Sequence, residues 1–448
     1  MSNVELAAGR WVAEVRPIAG VDPLAGAELL GEPLVYWERP HAREAVAGWG
    51  EAGARQAGDA TQVAEVLRAL CAPSQLRWLG PPPERMPGPW FGGMRFARSG
   101  DDAEWKAFGF SRWTLPEVLV WREGSGLMLA AFAPEGPLAE EVVRARLRQL
   151  SAAFPTGQRP SRGEAQVLSL ESSRQAFEAR VERALRAIAS GQLKKVVLAR
   201  SIEVCGTRPF EQVEVLARLR EHNPRCATFL VRAPDGSALM GATPETLCRI
   251  EGARLETEAL AGSAPHAHAE QMRGRDKEQR EHQEVVGYIL QALNPLCAQV
   301  VSAASPVLLS LPNLVHLHTG IRAQLHEGVG AAEVLGALHP TPAVGGTPRQ
   351  RALSFLLEHE GLDRGWYAGP VGWVGPGRAH LMVALRSAWV HEARARLFVG
   401  AGIVAGSNAQ AEWQETELKS QVMLRALGGV PESLAARPAL ALSGSSPR

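Results

Sequence analysis

Between residues 173 and 206 the chain changes its apolar period. Phe177, Val181, Leu185 and Ile188 recur at helical spacing, which predicts a helix from about Ser173 to Ser190. Ser173 offers an N-cap hydroxyl and Gly191 a C-terminal stop. The apolar run from Lys195 to Arg200 follows at once and reads as a strand with Lys195, Val197 and Ala199 on one face. Val118–Arg122 and Leu127–Phe132 flank Glu123-Gly124-Ser125-Gly126, a hairpin signal. Phe91 to Phe96, with Gly92 and Gly93, reads as a close backbone approach at a strand. Further strands are predicted at Thr228–Arg232, Leu239–Gly241, Val307–Leu311, His380–Val390 and Leu397–Val404. Helices are predicted at 138–151, 275–296, 331–338, 349–358 and 409–427. Strands in runs with turn signals between them, flanked by helices, point to an α+β fold rather than alternating βαβ units.

Residues 1–90 carry few signals. Phe154 to Gly163 is rich in Pro and Gly and reads as a linker. It divides a variable N-terminal part, residues 1–160, from a region 161–430 that holds the chemistry. The tail 431–448, rich in Ala, Ser and Pro, is expected to fray.

Composition narrows the function class. Of 448 residues, 46% are hydrophobic and 21% charged, as in an ordinary soluble globular protein. A net charge of +1 gives no field for a nucleic-acid partner. The longest apolar run, Leu397 to Ala405, is about half of the ~18 residues a membrane span needs. The first residues lack the pattern of a signal peptide. Five scattered cysteines without a Cys-x-x-Cys pair read as reduced core thiols of a cytoplasmic protein.

The candidate chemistry is acid–base. A lysine sharing a face with apolar neighbours either snorkels at the strand end or is functional, because burial disfavours its charge. Glu245 follows Thr243-Pro244, and proline keeps that segment extended or turned. It is either a turn glutamate in solvent or a sheltered proton donor. Glu281 precedes Val285 by four residues and Ile289 by eight, so it falls on or beside an apolar helical stripe. Glu415 repeats the pattern on the helix predicted at 409–427, with Lys419 four residues on and Val422 seven. The alternatives are a plain i,i+4 ion pair with Lys419, or two inward carboxylates able to hold Mg²⁺ with waters and an oxygen-rich substrate. Arg386 ends an apolar strand, and the glycines of Val399 to Ile403 either pack closely or offer backbone N–H groups to a carboxylate. Leu338 to Gly346 is a rigid loop whose His339 and small residues suit a pocket wall. His266 and His268 lie in a polar loop without matching ligands and read as exposed.

Five segments occur together in one order: Lys195–Arg200, Gly241–Glu245, Leu260–Ala264, Leu338–Ala343 and Glu412–Lys419. In this the chain resembles the chorismate-utilising enzymes, which include anthranilate, aminodeoxychorismate, salicylate and isochorismate synthases. The match covers roughly residues 90–428 and is dense from Lys195 onward. The resemblance implies an anthranilate synthase component I-like fold, two stacked antiparallel sheets with helices outside. It implies Lys195 as the base that activates water and Glu245 as the acid that protonates the departing C4 hydroxyl of chorismate. Glu281 and Glu415 match the Mg²⁺ carboxylates. Gly262, Ser263, Ala343, Arg386, Gly400 and Lys419 match positions that contact chorismate, and Tyr367 and His339 positions that line its pocket. Glu278 departs from the Asp common in relatives after the lysine now at Lys277.

Within the family, Ala261 stands where aminodeoxychorismate synthases often carry a lysine that attacks the ring. Leu260-Ala261-Gly262-Ser263-Ala264 is most similar to isochorismate synthases, which use water. Trp366 to Trp373 looks more like the menaquinone-pathway enzymes than the siderophore ones. The expectation is therefore a Mg²⁺-dependent isomerase acting on chorismate, monomeric or homodimeric, without a glutamine amidotransferase subunit. The rivals are a siderophore- or salicylate-pathway enzyme, an anthranilate synthase component I, or a non-catalytic binding protein of the same fold.

Overall fold

The computed structural model describes residues 10–429 except 98–99, 101, 157–166, 172, 270–271 and 273–275. Most of the expected linker and all of the tail from residue 431 lie outside the described residues. The fold is α+β, with one sheet of thirteen strands and a second of ten, and helices outside them. Pairing is antiparallel throughout, save that Trp11–Ile18 runs parallel to Leu76–Trp78.

The two sheets stack through aromatic side chains. Trp11 and Trp37 of the first meet Trp90 and Trp373 of the second edge-on, with ring centroids 5.0 and 6.3 Å apart. Burying rings of this size removes a large apolar area from water, and edge-to-face pairs contribute about 1 kcal/mol more each. On the outer side of the first sheet, Leu216 and Leu219 of helix Gln212–His222 and Met423 of helix Ala409–Ala426 pack with Ile202, Leu397 and Val399. Strands from before residue 160 enter both sheets: Val35–Arg39 pairs with Ala227–Arg232, and Trp90–Met94 with Pro370–Gly375.

The helix before the lysine strand spans Arg174–Ala189. Ser173 Oγ accepts from Ala176 N–H at 3.3 Å, and Gly191 takes a left-handed φ of 76°. Its buried face is Phe177, Val181, Ala184 and Ala187, while Leu185 and Ile188 are only half-buried. The lysine strand, Lys195–Gly206, pairs along its length with Arg394–Val404, from Lys195 opposite Val404 to Cys205 opposite Arg394. The 118–132 hairpin forms as expected, with Gly124 at φ 62° in its two-residue turn.

The predicted strand His380–Val390 is two strands in two sheets. Arg378–Val383 belongs to the second sheet and Ser387–His391 to the first, with Arg386 at φ 49° between them. The run is apolar on both sides of the bend because each strand is buried on both faces, and Arg386-Ser387 is the one polar mark of it. Two long strands, Arg254–Ala264 and Val315–Leu325, also went unread apart from short motifs. The five cysteines are free thiols, with Cys226, Cys248 and Cys297 buried. Among the described residues, no helix is long and apolar enough to cross a membrane.

Candidate active site

The site lies where the chain crosses between the sheets. Glu245 sits between Ala238–Thr243 of the first sheet and Thr246–Glu251 of the second. Arg386 sits on the return crossing. The two crossings are laced together: Thr243 Oγ1 donates to Val383 O at 2.6 Å, Val383 N–H to Glu245 O at 3.1 Å, and Ala242 N–H to Arg386 O at 3.2 Å. Neither segment can join a ladder there, so these bonds satisfy backbone groups that would otherwise be buried unpaired.

One cavity gathers most of the predicted residues. Glu245, Gly262, Ser263, Glu281, Ala343, Tyr367, Arg386, Gly400, Glu415 and Lys419 all line it. Lys195 stands just behind, 1% exposed, so it does not snorkel. Its Nζ lies 2.9 Å from Glu281 Oε1, although no acceptor is aligned for a hydrogen bond. His339 is placed differently. Its Nε2 lies 3.0 Å from Phe96 O and its ring packs edge-on to Phe96, outside the cavity lining. Burial pushes the His339 imidazole down to about 3, so the ring is neutral. His266 and His268 are exposed.

Glu245 is 3% exposed. Burial, reinforced by the Glu258 carboxylate, pushes its carboxyl up to about 8, against the pull of Lys195, Arg386 and Lys419. A carboxylic acid that keeps its proton at neutral pH is equipped to donate it.

A β-bulge at Gly262 shapes the opposite side. Ala261 pairs with Leu317 and Ser263 with His316, leaving Gly262 as the extra residue at φ 76°. In a regular strand Ser263 would point away from the face that holds Leu260; the extra residue turns it into the cavity. Ser263 Oγ lies 3.0 Å from His316 Nδ1, and Arg386 Nη2 lies 3.2 Å from His316 Nε2. A guanidinium only donates, so Nε2 accepts and Nδ1–H donates to Ser263. Burial, then the charges of Arg386 and Lys419, hold His316 far below its usual range and so neutral.

The helix carboxylates are each matched to a lysine. Lys419 Nζ donates to Glu415 Oε1 at 2.5 Å and to Gly400 O at 2.9 Å, so the i,i+4 pair exists within the cavity wall. Glu278 and Glu412, both buried, stand one turn before Glu281 and Glu415 on the same helices. A Cβ on Gly402 would come within 2.6 Å of Glu281 Oε1, so this glycine makes room for the carboxylate. Carboxylate oxygens alone, two of them facing the cavity, suit Mg²⁺, which keeps several waters and takes one or two protein carboxylates.

On its other edge the lysine strand pairs with Gly346–Thr347 at one end and Val167–Glu171 at the other, and side chains hold the gap between them. Arg364 donates to Val197 O at 2.6 Å and Val344 O at 2.9 Å, and pairs with Glu360, which accepts Ala199 N–H at 2.7 Å. Both members of the pair are buried. His316, Gly402, Glu278, Glu412 and the Arg364–Glu360 pair were not among the residues predicted. Helical i,i+3 spacing was a usable signal for Glu278 and Glu412, and strand alternation for His316; nothing local marks Arg364.

Residues 4–428 match the family model described as chorismate binding enzyme. The chain is 34% identical, over 96% of its length and 94% of the relative's, to a salicylate biosynthesis isochorismate synthase of Pseudomonas aeruginosa. It is 31% identical to isochorismate synthase MenF of Bacillus subtilis, over 76% of this chain and 74% of that one. The solved structure of MenF, the menaquinone-specific isochorismate synthase from Escherichia coli, superposes with TM-score 0.78 at 26% identity, covering 94% of this chain and 95% of that one. Anthranilate synthase component I from Streptococcus pneumoniae shares the fold, with TM-score 0.68 at 19% identity over 85% of this chain and 92% of that one.

Proposed function

The chain belongs to the chorismate-binding enzyme family, and from that premise we propose that it is an isochorismate synthase. The observation that carries the reading is that a buried lysine and a buried, protonated glutamate serve one cavity, while Ala261 offers no amine to attack the ring. Arg386 and Lys419 supply positive charge for the carboxylates of chorismate. Lys195, in its neutral amine form, takes a proton from water as the water oxygen bonds to C2. The ring double bonds shift, the C4–O bond breaks, and Glu245 gives its proton to the departing hydroxyl. One water enters and one leaves, so substrate and product are isomers.

Glu281 and Glu415 would hold a Mg²⁺ ion, with Glu278 and Glu412 behind them. When bound, the ion supplies positive charge opposite a substrate carboxylate. Water as nucleophile leaves no task for an ammonia-supplying subunit. Menaquinone synthesis as the destination is supported by the Escherichia coli structure and by Trp366 to Trp373; salicylate synthesis is supported by the Pseudomonas aeruginosa relative.

Incubation of the pure protein with chorismate and Mg²⁺, without ammonia, tests the reaction. Isochorismate should be the main product. Salicylate with pyruvate would identify a lyase instead, and anthranilate formed only on adding ammonia would identify an amine-transferring relative.

A further inference from the structure

Glu245 and its neighbour Thr246 face two different spaces. Glu245 lines the substrate cavity, whereas Thr246 lines an outer cleft together with Glu258 and His318. We propose that Glu258, held by His318, is a positioning residue that fixes the Glu245–Thr246 peptide and sets a carboxylate behind the acid. The proposal rests on the reading of Glu245 as the proton donor.

The contacts converge on one peptide unit. Its N–H, on Thr246, donates to Glu258 Oε1 at 2.6 Å, and its C=O, on Glu245, accepts from Val383 N–H at 3.1 Å. The second oxygen of Glu258 lies 2.7 Å from His318 Nε2. Both ends of the carboxylate are therefore engaged, one on the acid's backbone and one on a histidine open to the cleft. His316 and His318 stand two residues apart on one strand, so they share a face. The first serves the substrate cavity through Ser263 and Arg386; the second serves the cleft through Glu258.

The charges explain why Glu258 matters. Burial first and the Glu258 carboxylate second oppose ionisation of Glu245, against Lys195, Arg386 and Lys419, while the cavity's other two carboxylates, Glu281 and Glu415, are each paired with a lysine. The other charged groups of the cleft answer one another. Arg249 pairs with Glu44 and Glu251, Arg39 with Glu44, and Arg322 with Glu256. His41 and His282 lie nearby, both lowered first by burial and so neutral. His318 is raised, chiefly by its bond to Glu258, so it carries charge into a higher pH range than an ordinary imidazole.

The test replaces Glu258→Gln, which leaves Thr246 an acceptor but removes the charge. The alkaline limb of the kcat–pH profile should move down by about 1 pH unit. Infrared titration of the Glu245 carboxyl in substrate-free protein, referenced to Glu245→Gln, should move the same way. An unmoved or upward-moving Glu245 titration would overturn the proposal. His318→Gln removes the compensating positive charge and should move the Glu245 titration upward instead; if Glu258→Gln does not fold, this variant decides, and no shift in it overturns the proposal. The carboxyl titration needs no turnover. A shift there in a protein that makes no isochorismate would sink the functional reading and leave this one standing.

Discussion

The two walls of the cavity are built in contrasting ways. The lysine wall is a regular ladder: Lys195–Gly206 pairs with Arg394–Val404 on one edge, and on the other Gly346–Thr347 and Val167–Glu171 pair with its two ends while the Arg364–Glu360 pair takes the bonds of Val197 and Ala199 between them. The acid wall is irregular, made of two crossings between sheets, with Pro244 in one and the left-handed Arg386 in the other. The ladder holds a base at a fixed depth. The crossings bring an acid and a guanidinium to one cavity from two chain segments outside the ladders.

The largest expected effect falls on the ladder's one reacting group. Lys195→Ala should lower kcat by about 10³-fold with the fold intact by circular dichroism, since a positioned general base contributes roughly 10²–10⁴-fold. Full activity in this variant would remove the base from that wall. Next is the clamp. Arg364→Ala leaves Glu360 buried without its cation and should cost about 3 kcal/mol in urea unfolding. A cost near zero would show that the ladder does not depend on the pair. Smaller is Gly402→Ala, whose Cβ would displace the Glu281 carboxylate. It should raise the Mg²⁺ concentration for half-maximal rate by about tenfold, as does loss of support for a metal ligand. An unchanged Mg²⁺ dependence would take Glu281 out of the metal site.

The same contrast governs what the sequence discloses. The helix from Arg174 to Ala189 is legible because it has one period and a clear end at Gly191, and the lysine strand is legible over its apolar first half, Lys195 to Arg200, though not in its continuation to Gly206. The acid wall is not. His380 to Val390 reads as one strand because apolar residues flank the bend on both sides and Arg386-Ser387 is a short interruption whose left-handed turn only backbone geometry reveals. Arg254–Ala264 does alternate, with Leu255, Thr257 and Ala259 buried, but its charged residues mask the pattern in a short window. Lys195, taken alone, fits snorkelling as well as catalysis; company with four other motifs, not periodicity, points to its role. Arg364 and Glu360 stay silent because their partners are backbone atoms more than 160 residues away for Val197 and Ala199.

The pH dependence of turnover tests most directly whether the irregular wall supplies the acid. A raised carboxyl is present as the donor below its folded value and lost above it, so kcat in wild-type protein should fall as pH rises through about 8, where burial and Glu258 place Glu245. Glu245→Gln should be slow at every pH and lack that limb. A wild-type rate that keeps climbing well above pH ~8, with the protein still folded, would contradict the assignment of Glu245 as the proton donor.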